Sequence, residues 1–315
     1  MSLDLSKIAK LKRRGGGYGG ACPACQAAGR DKRGDHLFID ANGIYGCAAY
    51  PGDAAHRKEV FALVGITSTA KAPARGLPDL HPLTFPAMRK LAELRGWPLF
   101  AGVEIACGRG LLFACELRDG PGDPVACWCI TDSARRNLQA RRLDGKPFAH
   151  RWNATGKTWE ACTPFKAKTI GPARWPVGAA DIGDRPAVLI AEGSTDFLAA
   201  HLIAWWFGFA PQVAVVAMLG AGQSIPDDAA PHFCGKRVRI LIDNDTAGEE
   251  AAARWAGQLH RAGVAHVSGF RWHGLNDRQG QTLKDASDFA RTLDEEAEST
   301  TNPLDGLVSE THLIQ

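Results

Sequence analysis

Val188-Leu189-Ile190-Ala191-Glu192-Gly193, with Asp196 three residues beyond the glycine, and Val238-Arg239-Ile240-Leu241-Ile242-Asp243-Asn244-Asp245, with Gly248 three beyond the last aspartate, decide the fold. Each is a short apolar run that stops at a carboxylate and leads into an Ala-rich stretch of helical character. Short β-branched runs followed by helices read as strands of a mostly parallel sheet. Such sheets bind ligands at the carboxyl ends of their strands. Those ends carry Glu192, Asp243 and Asp245. Three carboxylates at one sheet edge repel one another unless a divalent cation neutralises them, and hard oxygen donors suit Mg²⁺ or Mn²⁺.

The same alternation continues outward. A helix is predicted from about Thr195 to Phe207, a strand over Val213–Leu219, and a small-residue loop at Gly220-Ala221-Gly222-Gln223-Ser224 suited to close approach of backbone to phosphate. A helix from Gly248 to Ala262, a strand near His266–Phe270 and Lys284-Asp285-Ala286-Ser287-Asp288-Phe289 complete the pattern. The paired motifs resemble those of a Toprim domain, which is shared by bacterial-type (DnaG-like) primases, type IA and type II topoisomerases, some nucleases and recombination mediators. The resemblance implies that Glu192, Asp243 and Asp245 are catalytic and hold Mg²⁺ or Mn²⁺. It also implies that Asp285, with Asp288 beside it, sits near the metals.

Upstream, Cys22-Pro23-Ala24-Cys25 is a knuckle of the kind that closes on zinc. Leu37-Phe38-Ile39, a turn at Asn42-Gly43 and Ile44-Tyr45-Gly46-Cys47 read as a β-hairpin. Cys47 and His56 would complete a tetrahedral Cys₃His site, with His36 competing for the fourth position. So small a module buries too little core to fold without its metal. A redox role for Cys22 and Cys25 lacks the surrounding βαβ pattern. The segment is similar to the N-terminal zinc ribbon of bacterial-type primases, although those ribbons usually close with a second tight Cys pair. Ahead of it, Lys7, Lys10, Lys12, Arg13 and Arg14 suggest a short basic helix. Gly15–Gly20 then reads as a flexible approach, since no apolar strand precedes it as a dinucleotide site requires.

In the middle, Thr67 to Leu80 reads as a linker, followed by a helix over Phe85–Arg95 and strands at Gly110–Cys115 and Val125–Ile130. Cys127 and Cys129 share a face of the latter strand and read as core. Arg135, Arg136, Arg141 and Arg142, with Asn137 and Gln139, make a ridge of donors without acidic relief, suited to phosphates. Trp152 and Trp159 downstream would stack bases of a single strand. Gly156-Lys157-Thr158 fails as a P-loop because Arg151 stands where the earlier glycine is required, so no ATPase or helicase is expected. In bacterial-type primases a comparable basic segment faces the metal site, which implies nucleotide or template binding by Lys166 and Lys168.

The first 180 residues hold 27 Lys/Arg against 15 Asp/Glu, a net of +12, and the remainder has a net of −9. A basic front and acidic back fit phosphate tracking followed by cation binding. No signal peptide or membrane span is evident, so a cytoplasmic location is expected. Nine cysteines, an odd number, argue for metal and core positions rather than disulfides. The expected chain is multidomain, α/β and α+β. It comprises a zinc-ribbon-like DNA-binding domain (1–66), a linker (67–80) and a basic α+β subdomain (81–180). A Toprim α/β domain with a mostly parallel sheet (181–292) and an acidic disordered tail (293–315) follow. The likeness to primases of phage, plasmid or other mobile-element variety implies synthesis of short RNA primers on single-stranded DNA from ribonucleoside triphosphates. It further implies structural Zn²⁺, catalytic Mg²⁺ or Mn²⁺ and a separate replicative helicase as partner, the stretch after the Toprim region being too short for a helicase-docking domain. A topoisomerase is excluded because the only tyrosines, Tyr18, Tyr45 and Tyr50, lie in the zinc module. A metal-dependent nuclease and a non-catalytic zinc/Toprim recombination module are the alternatives.

Overall fold

The basic N-terminal stretch is strand where its composition suggests helix. β1 (Lys12–Arg14) pairs antiparallel with β2 (Gly17–Gly20), which pairs in turn with β3 (Leu37–Ile39). The glycines explain the difference. A Cβ at Gly17 would lie 2.0 Å from the Ile39 carbonyl oxygen, so this run is required for close strand approach and is not a loose tether. The computed structural model describes residues 3, 7–14, 17–40, 45–64, 76–171, 174–293 and 302–307, in two compact units, Met1–Pro73 and Ala74–Gln315. In the first, α1 (Pro23–Ala27), β4 (Tyr45–Cys47), which closes the sheet beside β3, and α2 (Ala54–Val64) surround a small core of Ile8, Leu37, Ile39, Val60 and Val64 with three cysteines. The predicted turn at Asn42-Gly43 and most of the predicted linker lie outside the described residues.

The second unit begins with α3 (Phe85–Arg95) and α4 (Ala101–Gly108). Thr84 caps α3 by accepting from the Ala87 N–H, and Gly96 ends it at φ 67°, a left-handed conformation that favours glycine. There follow β5 (Leu112–Leu117), β6 (Val125–Ile130), β7 (Leu138–Arg142), β8 (Phe148–Asn153), β9 (Thr158–Phe165) and β10 (Lys168–Ile170). β5, β6, β7 and β10 form an antiparallel sheet, and β8 and β9 a two-stranded ribbon. Then come β11 (Ala187–Ala191), α5 (Ser194–Trp206), β12 (Val213–Ala217), β13 (Arg237–Ile242), α6 (Thr246–Arg261), β14 (His266–Arg271) and α7 (Ala286–Ala290). Their strands make a parallel sheet in the order β12-β11-β13-β14.

Both faces of this sheet are covered, which is why β11 and β12 are continuously apolar rather than alternating. Leu189 and Val215 enter one core with α4, α5 and α7, while Val188, Ile190 and Val216 enter a second with α6. The first core also takes in Leu91, Trp97, Leu112 and Trp128, so it runs without a break across the expected border near residue 180. α4 lies directly on α5, since a Cβ at Gly102 would stand 2.5 Å from the Leu198 carbonyl oxygen. Trp97 Nε1 donates to the Ser287 carbonyl (3.2 Å), tying the end of α3 to α7.

One correction concerns the tail. Residues 302–307 form turns with Leu304 and Leu307 fully buried, although the segment from 293 reads as disordered by composition. Two leucines fill the end of the core, and Arg237 and Arg239 of β13 donate to the Leu307 (2.7 Å) and Pro303 (2.5 Å) carbonyls. Residues 294–301 and 308–315 lie outside the described residues. No helix among the described residues is long and apolar enough to cross a membrane. Leu304→Ala should therefore cost about 2–4 kcal/mol, read as a lower urea midpoint with an unchanged m-value; a disordered tail would leave the midpoint unmoved.

Candidate functional site

In the first unit, Cys22, Cys25, Cys47 and His56 converge, with every ligand atom within 4.8 Å of the others. Cys22 Sγ and Cys25 Sγ lie 3.3 and 3.5 Å from His56 Nε2, and Cys25 Sγ lies 3.6 Å from Cys47 Sγ. His56 rather than His36 is the fourth donor; His36 faces Asp31 instead, 3.9 Å away. Asp31 organises the knuckle by accepting from the backbone N–H groups of Cys22, Gly34, Asp35 and His36. Burial acts to raise Asp31, but these four bonds outweigh it and hold the carboxyl below its usual range. Around His56, Tyr50 stacks on the ring at 4.3 Å and Glu59 lies 3.7 Å from Nδ1. Burial pushes the Cys25 thiol up to about 12 and also raises Cys22, so both would ionise only against a cation. The donor set fits tetrahedral Zn²⁺.

In the second unit, β11 and β13 are neighbours with Ile190 level with Ile240, so Glu192 and Asp243 leave adjacent strand ends at one sheet edge. Glu192 accepts from the Ala221 backbone N–H, and its own carbonyl accepts from Gly220 (2.9 Å) in the loop after β12. Asp245 caps α6 through the Gly248 N–H (2.8 Å), and Asp285 caps α7 through the Asp288 N–H (2.8 Å). The Asn244 N–H donates to the Lys284 carbonyl (2.7 Å) and clips these two turns together. Gly248 is dictated by proximity, because a Cβ there would stand 2.5 Å from the Asp243 carbonyl oxygen. Asp196, in the first turn of α5, is buried and accepts from the Ser287 N–H (3.3 Å).

These acids raise one another. Burial pushes Asp243 up to about 9, reinforced by Asp196, Glu192, Asp285 and Asp245. Burial and then Asp285 push Asp196 up to about 7, and burial is also the leading cause that raises Glu192 and Asp285. Carboxyl groups gathered against their own repulsion fit a divalent-cation site. They are spaced more openly than the thiol cluster: among the described residues, sets of three donors within 4.8 Å occur only at that cluster and at Asp31, Asp35 and His36. Open spacing leaves room for the water and substrate oxygens that Mg²⁺ retains. Glu192, Asp243, Asp245 and Asp285 are the residues that would hold it.

A cleft of about 490 Å³ opens beside this edge. Asp196 and Asp285 line its acidic side, opposed by Arg95, Arg141, Arg142, Lys146, Lys166 and Arg291. Arg141 Nε donates to Ser194 Oγ (3.0 Å). Gln139, two residues earlier on the same strand face, accepts from the Ser194 N–H (2.9 Å) and donates to the Leu219 carbonyl (3.3 Å). β7 thereby grips both turns that flank Glu192, including Leu219 at the unusual φ of 65°. Burial and the charge of Arg95 push Arg141 down to about 10. Arg95 Nε, Thr195 Oγ1 and Ser287 Oγ are buried without a hydrogen-bond partner, and a phosphate would satisfy donors so placed.

Of the six basic residues singled out from sequence, Arg141, Arg142 and Lys166 line the cleft, whereas Arg135, Arg136 and Lys168 do not. The ridge also has acidic relief. Arg136 pairs with Asp228 and stacks over Trp175, and Arg142 pairs with Asp119 (2.7 Å) and Asp144 (2.6 Å). Arg135 and Arg136 precede the strand 138–142, and within it neighbours leave opposite faces, Arg141 bonding Ser194 and Arg142 pairing with Asp119. Arg135 lies over Phe113; Lys168 donates to the Arg118 carbonyl and lies over Phe148 and Trp159. Arg95, Lys146 and Arg291 are additions that no local motif signals. Trp152 and Trp159 face each other across β8 and β9, 5.6 Å apart, with Trp152 37% exposed. Gly156-Lys157-Thr158 is the turn of that ribbon and the start of β9.

Residues 189–286 match the Toprim-like family. The second unit thus carries a Toprim-like domain, and the matched span runs from within β11 to the start of α7, enclosing Glu192, Asp243, Asp245 and Asp285. Among solved structures, the chain is similar to the primase fragment of the bacteriophage T7 primase-helicase protein, with 15% identity, a TM-score of 0.38, and coverage of 81% of this chain and 88% of that one. So loose an overlap assigns no residue. No curated protein matches the chain.

Two expectations follow. Cys25→Ser should lower bound zinc from about one ion per chain to near none by elemental mass spectrometry, while His36→Ala leaves it in place. Without divalent ions, the raised carboxyls stabilise the fold fully below the unfolded aspartate value of about 4. That stability is lost as the pH rises through about 7 for Asp196 and about 9 for Asp243. Thermal unfolding of the divalent-free chain should show this decline and Mg²⁺ should flatten it; equal slopes with and without Mg²⁺ would count against the metal assignment.

Proposed function

We propose that the second unit joins ribonucleotides into short primers on single-stranded DNA, with the first unit serving as a zinc-held DNA-binding module. The observation that carries this reading is the juxtaposition of Glu192, Asp243, Asp245 and Asp285 with a cleft lined by six cations. Divalent ions bound by those carboxylates would activate the attacking hydroxyl and neutralise charge developing on the phosphoryl oxygens. Arg95, Arg141, Lys146, Lys166 and Arg291 would bind the triphosphate and draw negative charge toward the leaving group. In the reaction, the 3′-hydroxyl oxygen of one nucleotide bonds to the α-phosphorus of the next, the bond to the bridging oxygen breaks, and pyrophosphate leaves. Gln139 and Arg141 act by fixing the turn that presents Glu192. No protein nucleophile is required, since the work is positioning and electrostatics.

The template would pass along the β8–β9 ribbon, where Trp152 offers a stacking face and Arg151 and Lys157 offer charge. A separate replicative helicase would supply strand separation, in the setting of a phage, plasmid or other mobile element. The test incubates the full chain with single-stranded DNA, the four ribonucleotides and Mg²⁺ or Mn²⁺. New oligoribonucleotides should form, and Asp243→Ala should reduce them roughly 100-fold or more while DNA binding is retained. Shortened template with no new product would identify a nuclease instead, and undiminished synthesis by Asp243→Ala would overturn the metal assignment.

A further inference from the structure

A second, smaller cavity of about 190 Å³ opens near the start of β12, the end of that strand away from the Gly220-Ala221 loop and Glu192. Ala214 and Val215 lie two to three residues before the end of β12, so at about 3.3 Å per residue the cavity stands roughly 7–10 Å from that end of the strand. Arg109, directly after α4, and Arg185, in the turn before β11, line it together with Asp181 and the Gly178 and Val215 segments. Neither guanidinium has a carboxylate within ion-pair distance among the described residues. Asp181 accepts from the Ser133 N–H (2.9 Å) instead.

The two arginines are anchored but not satisfied. Arg109 donates to the Ala210 and Val213 carbonyls. Arg185 Nη1 donates to the Asp181 (2.9 Å) and Ile182 (3.4 Å) carbonyls, and its Nε is buried without a partner. Burial first, and then the nearby charge of Arg185, push Arg109 down to about 10. Both charges also bear on His201, which is 1% exposed and whose Nε2 has no partner. Phe197, against which the His201 ring packs at 4.8 Å, stands behind Gly178 in the cavity wall. Two guanidinium groups lining one cavity, with no carboxylate in ion-pair distance among the described residues, suit a tetrahedral oxyanion. At about 190 Å³ the recess has well under half the volume of the cleft beside the carboxylates, about 490 Å³.

We propose that Arg109 and Arg185 form a binding site for a small phosphate-class anion, inorganic phosphate or pyrophosphate, separate from the carboxylate edge. The site stands independently of the proposed primer synthesis. It is tested on the full chain without added divalent ions by phenylglyoxal modification of arginine, read residue by residue by peptide mass spectrometry. Inorganic phosphate or pyrophosphate at ten times its Kd should slow labelling of Arg109 and Arg185 roughly tenfold. In Arg185→Gln the protection of Arg109 should disappear while that of Arg141 in the cleft persists. A single-stranded oligonucleotide should protect Arg141 and leave Arg109 reactive. Unchanged labelling of Arg109 and Arg185 with both anions would overturn the proposal, as would their protection by the oligonucleotide alone. If Arg185→Gln fails to fold, the wild-type labelling pattern decides by itself.

Discussion

Five acidic side chains converge where the parallel sheet ends, and their mutual repulsion in a partly buried setting is the constraint to which the surrounding structure answers. Asp243 bears the largest share, pushed up to about 9 by burial and by four neighbouring carboxyls. The fold offsets part of this by turning acids into caps. Asp245 and Asp285 each accept a backbone N–H at a helix start, where the exposed amides and the helix dipole favour negative charge. What capping leaves uncompensated is a demand for cations. A divalent ion would meet it on one side, and the arginine- and lysine-lined cleft faces it on the other.

The antiparallel sheet and the parallel sheet are therefore parts of one device. A single apolar core runs from α3 through α5 and α7 to Leu304 and Leu307. Above it, Gln139 and Arg141 reach from β7 to the turns on both sides of Glu192. Arg291, beyond α7, donates to the Arg95 carbonyl (2.9 Å), so two cations of the cleft are held together by residues 196 positions apart. The acid edge and the basic cleft keep their relative positions because packing and hydrogen bonds join them, not because sequence neighbours do.

That distinction governs what could be read before folding. Glu192 and Asp243 were legible because an apolar strand ending in an acid reports its own position on a sheet edge. Cys22, Cys25, Cys47 and His56 were legible because thiol spacing constrains metal geometry. The arginine ridge was legible only in composition: Asp228 pairs with Arg136 and Asp119 with Arg142 from distant segments, and Asp144, two residues on, also pairs with Arg142. Arg95, Lys146 and Arg291 carry no local signature. Gly17 reads in the sequence as part of a flexible run, yet it marks a backbone approach that a side chain would block, as Gly102 does between α4 and α5. Leu304 and Leu307 were hidden in an acidic, Ser/Thr-rich tail whose average composition says nothing of two residues that complete a core.

In the proposed site, a metal at the carboxylate edge and phosphates in the basic cleft meet. Pulsed electron paramagnetic resonance on the Mn²⁺-loaded chain with a nucleoside triphosphate analogue that cannot be cleaved tests this most directly. The predicted result is a ³¹P hyperfine coupling to the bound Mn²⁺ that disappears in Glu192→Gln together with metal binding. In Arg141→Gln the coupling weakens although the metal remains. Mn²⁺ bound equally well by Glu192→Gln, or bound in the wild-type chain with no ³¹P coupling, would contradict it.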